Sequence, residues 1–145
     1  MFKFWLFTHL VGLSVWLGSL VAVAIVFSLL RKQLVSAEIR KVYVKLSKIF
    51  TGVSHATATL VLVSGLIMLF QMEYKAFDVI FMERFGSMVV ILSMILLTVF
   101  NKKVVKQISN NDIAPEKITG FGAYFGVKFA TIVAIIATIF VVSFN

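Results

Sequence analysis

The chain has 145 residues, of which 61% are hydrophobic and only 14% charged, with a net charge of +8, one proline and no cysteine. A soluble domain usually carries about a quarter charged residues, so this composition excludes an ordinary soluble enzyme. The lack of cysteine excludes disulfides and thiolate metal sites.

Four apolar runs follow one another: Phe4–Leu30, Ile49–Met72, Phe85–Phe100 and Gly120–Phe144. A membrane-spanning helix needs about 20 apolar residues at about 1.5 Å rise each. The first, second and fourth runs meet this, and the third does so by borrowing Val79–Met82. Nothing alternates with the period of two that a barrel strand needs. The expected fold is all-α: a four-helix transmembrane bundle in a single domain, with spans near residues 4–30, 49–72, 80–100 and 119–144. The first run is too long for a signal-peptide core and lacks a small-residue cleavage site, so it reads as a retained helix.

The excess positive charge falls between the spans. Arg31, Lys32, Arg40, Lys41, Lys45 and Lys48 lie between the first two, and Lys102, Lys103, Lys106 and Lys117 between the last two. That distribution fits an anionic leaflet and not nucleic acid. By the positive-inside rule both stretches are cytoplasmic and both termini lie outside.

Between the spans, Ser36 is a candidate N-cap for a helix leading into the second span, with Ile39, Val42, Leu46 and Ile49 as its apolar stripe. Ser109–Asp112 reads as loop. Pro115, with Glu116 beside it, suits the first turn of the fourth helix.

Polar residues inside the spans fall on helical faces. On the first helix Trp5, His9, Gly12, Trp16 and Ser19 share one side. On the second, Gly52, His55, Thr59 and Leu62 do so; on the third, Ser87, Met94 and Thr98; on the fourth, Tyr124, Lys128, Thr131 and Thr138. A Gly122-x-x-x-Gly126 pair adds a small-residue surface of the kind that packs helices.

His9 and His55 are the only histidines. An intramembrane ionisable residue is a functional-site hypothesis by default. Counted from the span centres at about 1.5 Å per residue, they lie roughly 20 Å apart along the membrane normal. Metal–imidazole bonds are only about 2 Å long, so one ion cannot hold both. Two sites are expected. The outer one has His9 with Trp5, Trp16 and the methionines Met68, Met72, Met82 and Met88 nearby; imidazole with thioether suits Cu(I) or an axial pair on heme iron. The inner one has His55 and Lys128 at nearly one level. The structural alternatives are core methionines, an interfacial Trp5, histidines bonded across helices, and a snorkelling Lys128.

The run His9-Leu-Val-Gly-Leu-Ser-Val-Trp16-Leu-Gly18 has the form H-x6-W-x-G. It resembles the first-helix signature of the CopD-like and HemJ-like four-helix bacterial membrane proteins. The order of elements is also similar: a basic stretch, Leu46-Ser47-Lys48 leading into a helix that ends Ser64-Gly65-Leu66, then two more spans. The resemblance implies a place in the bacterial cytoplasmic membrane and the handling of heme b or copper. It implies His9 as principal ligand, Met88 or Met68 as a second, and Gly12 and Trp16 on the cofactor face. HemJ-like proteins oxidise protoporphyrinogen IX and carry a functional lysine early in helix three. Here that stretch is Arg84-Phe85-Gly86-Ser87-Met88, without lysine inside the span, a departure that weighs against the oxidase. A cofactor-free accessory subunit of a larger membrane complex, or a homo-oligomer, is the remaining alternative; Gly122 and Gly126, or Gly18 with Ala22, would then be its docking surfaces. There is no phosphate-binding glycine loop, H-E-x-x-H or nucleophile elbow. All six acidic residues are expected in loops.

Overall fold

Four helices are long and apolar enough to cross a membrane, as the apolar runs predict. The computed structural model describes residues 1–72, 77–110 and 117–144. In chain order α1 is Phe2–Arg31, α2 Ala37–Phe70, α3 Phe77–Phe81 and α4 Ser87–Ser109. A π-helical turn, Met82–Gly86, joins α3 to α4, and the third span runs through it from Val79 to Ser109. α5 is Phe121–Phe144.

The side-chain pairings give an up-down-up-down ring. His9 meets Val61 and Ser64, Ser19 meets Ser54, and Phe27 stacks on Tyr43, so α1 and α2 run antiparallel along most of their length. Ser47 and His55 reach Asn101 and Thr98 on α4. α5 closes the ring, with Lys128 over Phe27 and Arg31 over Phe121. The α1–α2 and α4–α5 connections therefore share one end of the bundle.

At that end only Lys32–Ser36 separates α1 from α2. Ser36 does take the N-cap position, with extended backbone, but its hydroxyl makes no capping bond. The connection is held instead by Arg40, whose Nε donates to the Leu34 carbonyl at 2.7 Å and whose guanidinium donates to the Asn110 carbonyl at 3.0 Å. Of the expected loop Ser109–Asp112, Ser109 is still helical, Asn110 is extended and ends α4, and the last two residues lie outside the described ones. Pro115 and Glu116 lie outside the described residues. α5 starts after Gly120, whose φ of +94° is the left-handed region that glycine tolerates.

Two expected faces are corrected. The stripe Ile39-Val42-Leu46-Ile49 does not turn inward as a whole, since Val42 and Ile49 are exposed. The buried side of this stretch is Arg40, Tyr43 and Ser47. The reason is satisfaction of polar groups: Arg40 and Ser47 have partners inside the bundle, whereas valine and isoleucine need none and can face lipid. Further along α2, Gly52 and Thr59 face outward, and the buried line is Ala58, Val61, Ser64 and Met68. The acidic residues are also not confined to loops. Glu38 is in the first turn of α2, Asp78 in α3 and Glu83 in the π-helical turn; Glu73, Asp112 and Glu116 lie outside the described residues.

Two apolar clusters fill the ring. One, near the connections, gathers Phe27, Leu34, Tyr43, Val104, Ile108, Phe121 and Tyr124. The other, deeper, gathers Trp16, Leu20, Ala58, Val90 and Ile135. Large apolar side chains such as Ile25, Leu66, Phe129 and Phe140 cover the outside. In lipid this surface needs no cover, because hydrocarbon is as apolar as leucine, and packing and interhelical hydrogen bonds hold the helices together.

Candidate functional site

The structure contains two polar sites at different levels of the bundle. The first is built on His9, the first buried residue on the α1 face that the sequence marks out. Its Nδ1 lies 2.9 Å from the Val61 carbonyl and 3.1 Å from the Ser64 hydroxyl. A carbonyl only accepts, so Nδ1 carries the proton. The Ser64 hydroxyl donates back to the Leu60 carbonyl at 2.6 Å and leaves a lone pair toward the ring. The neutral ring is thus the Nδ1–H tautomer, with the Nε2 lone pair outside these bonds.

Gly65 makes room for that ring. A Cβ there would stand 3.2 Å from His9 Cε1 and 3.4 Å from Nδ1. Gly12, one turn along α1, meets α2 more closely still, for a Cβ there would stand 2.9 Å from Val61 Cγ2. The Gly12 face is therefore occupied by α2. Met68 is buried one turn beyond Ser64 on the same face of α2. Met88 points out of the bundle, 48% exposed. Trp5 is half-buried and packs edge-on against Phe4.

Trp16 does not join His9. It belongs to the deeper apolar cluster and lines the second site. There His55 Nδ1 donates to the Thr51 carbonyl at 2.7 Å, and Nε2 lies 2.8 Å from Thr98 Oγ1. Thr98 Oγ1 is also 2.6 Å from the Met94 carbonyl. Thr98 has one hydroxyl proton, so two arrangements satisfy the set. Either Thr98 donates to a neutral His55, or it donates to Met94 and a doubly protonated His55 donates to it.

Lys128 faces inward and does not snorkel, being 3% exposed. Its Nζ has no hydrogen-bond partner among the described residues. It sits 4.2 Å over the Tyr124 ring and 5.1 Å from the Phe27 ring centre, between two aromatic faces. His55 and Lys128 line one cavity of about 30 Å³ together with Trp16, Thr51, Ser54 and Tyr124. A water needs roughly 10–15 Å³ counted this way, so the space suits two or three water-sized occupants and nothing as large as a macrocycle.

His9's partners on α2, Val61 to Gly65, lie six to ten residues from His55. At about 1.5 Å rise per residue the sites are about 9–15 Å apart along α2. They remain separate, but closer than the roughly 20 Å expected. The difference is register: the Ser19–Ser54 pair and the Gly12–Val61 contact set the middle of α1 beside residues near 56, not 60. Sequence reasoning did not assign Val61, Ser64 and Gly65 to His9. The adjacent Ser64-Gly65 pair in an apolar helix was the available signal. Among the described residues no three of His, Asp and Glu gather to hold a metal.

Comparison with protein-family models, curated proteins and solved structures finds no match for this chain.

Proposed function

We propose that this chain is a multi-pass protein of the bacterial cytoplasmic membrane that handles copper at His9, as the likeness of its first helix to CopD-like proteins implies. In this reading both basic stretches face the cytoplasm and His9 lies in the outer half of the bundle. The observation that carries it is the pinned imidazole. Nδ1 is held by the Val61 carbonyl and Ser64, the arrangement by which metal-ligating histidines fix their tautomer and aim the other nitrogen. The thioether of Met68, buried one turn beyond Ser64, is the nearest soft donor along that face, and imidazole with thioether favours Cu(I). Copper would bring ligand exchange and one-electron chemistry. The chain's own residues hold Nε2 unprotonated and keep the ring from rotating.

Heme b fits this site less well. The face through Gly12, along which a macrocycle would lie, is filled by Val61 and Leu60. The oxidase reading also lacks its helix-three lysine. A cofactor-free accessory role has one observation in its favour: Gly122 and Gly126 face open space outside the bundle.

Metal analysis and an absorption spectrum of protein purified from copper- and heme-replete cells test the proposal. Near-stoichiometric copper that is lost in His9→Ala is expected. A Soret band without copper would replace copper by heme, and a colourless, metal-free protein would overturn both.

A further inference from the structure

We propose that the cavity between His55 and Lys128 is a binding site for one small inorganic anion of halide size. It lies at another level from His9 and does not rest on the copper reading.

The argument begins with charge. Lys128 is 97% buried and its Nζ, with three donors and no acceptor, has no hydrogen-bond partner among the described residues. A charge in the hydrocarbon region is costly unless paired. Among the described residues the side-chain carboxylates, Glu38 and Glu83, are too distant to pair with it. Glu38 precedes the cavity residues Thr51 and His55 on α2 by 13 to 17 positions, about 20–25 Å at the helical rise. Glu83 lies beyond Gly86, which packs near Thr138, ten residues or about 15 Å further along α5 than Lys128.

The aromatic faces of Tyr124 and Phe27 offset part of the cost of burying the charge. They occupy sides of the ammonium with rings that accept no conventional hydrogen bond. The side left for an acceptor is the cavity. Its volume of about 30 Å³ fits a single atom or a small diatomic ion. Its rim carries the Thr51 hydroxyl, which accepts from Asn101 Nδ2 and keeps its own proton to turn toward an anion, whereas the Ser54 proton goes to Ser19, whose own goes to the Trp16 carbonyl. His55 is spoken for by Thr51 and Thr98 and stands as a neighbouring positive or neutral wall, never as a competing acceptor charge.

Trp16 lines the cavity and provides the readout. Trp5 is the only other tryptophan, so a Trp5→Phe background isolates the signal. Bromide quenches indole fluorescence on contact. In purified protein the expected result is a saturable phase of Trp16 quenching by bromide in the millimolar range. Chloride added to the same protein should compete with it. Lys128→Met should remove the saturable phase and leave only linear collisional quenching, and Lys128→Arg should keep it. The competition arm uses the native lysine, so it decides the matter even if Lys128→Met fails to fold. Linear quenching that chloride does not alter, with the native lysine present, would overturn the site and leave the cavity holding water alone. Neither outcome bears on whether copper is retained, so the two proposals fail separately.

Discussion

Gly12 is the tightest point between α1 and α2. A methyl group there would stand 2.9 Å from Val61 Cγ2, so Gly12→Ala must move a buried branched side chain or part the helices. Overpacking of this kind costs about 1–3 kcal/mol, and a lower melting temperature in detergent is the expected reading. Gly18→Ala is the control: nothing lies within 4 Å of its Cβ position, and a change within about 0.5 kcal/mol is expected. Gly65→Ala separates packing from ligation. Its methyl would press on His9 Cε1 at 3.2 Å, a few tenths of an ångström too close, and turn the ring off its carbonyl. Copper retention should fall more than tenfold, the range seen when a ligand's orienting contacts are disturbed, while the helical content stays unchanged. A Gly65→Ala protein that keeps its copper would count against His9 as ligand. The H-x6-W-x-G run pointed to His9, but Val61 O, Ser64 and Gly65 were not legible as its partners. They sit 52 to 56 positions away, and only the antiparallel register of α2 brings them to the ring.

Between elements, Asn101 links α2 to α4. Ser47 donates to its Oδ1 at 2.7 Å and its Nδ2 donates to Thr51 at 3.0 Å. A double-mutant cycle with Ser47→Ala and Asn101→Ala should return a coupling of about 0.6 kcal/mol, and no more than about 1.7, because separated helices in a bilayer find other partners for the freed groups. A coupling indistinguishable from zero would mean that the bond does not persist in the bilayer. Most of the α1 face was legible from spacing, since His9, Gly12, Trp16 and Ser19, three or four residues apart, are all buried. α5 was legible for the same reason, with Tyr124, Lys128 and Thr131 inward. α2 was not. Its apolar residues are spread around the helix, so periodicity left its rotation open, and the hydrogen-bonding needs of Arg40, Ser47, Ser54 and Ser64 settled it.

For the whole molecule, the shared end of the α1–α2 and α4–α5 connections carries most of the positive charge. The chain has no cysteine, so single introduced cysteines report sidedness cleanly. Ser36→Cys and Ser109→Cys should resist a membrane-impermeant maleimide in intact cells and react after lysis, whereas Gln71→Cys should react in intact cells. The reverse pattern would put the basic end outside and His9 in the inner half.

Hydropathy and the lack of period-two alternation were enough to establish four spanning helices, because the bilayer demands that each span satisfy its own backbone. Residue type alone marked His9, His55 and Lys128 as the groups to watch, since so few ionisable side chains are tolerated at that depth. Which of them meet was a tertiary matter. His55 and Lys128 share a cavity because α2, α4 and α5 converge there. Trp16 left the expected His9 set for that cavity, two helical turns along α1. Met88 faces outward because α4 turns Val90 and Ser93 to the core instead. Helical spacing fixes which residues share a face. It is silent on register and rotation between helices, which small-residue contacts and buried hydrogen bonds decide only once all four helices are in place.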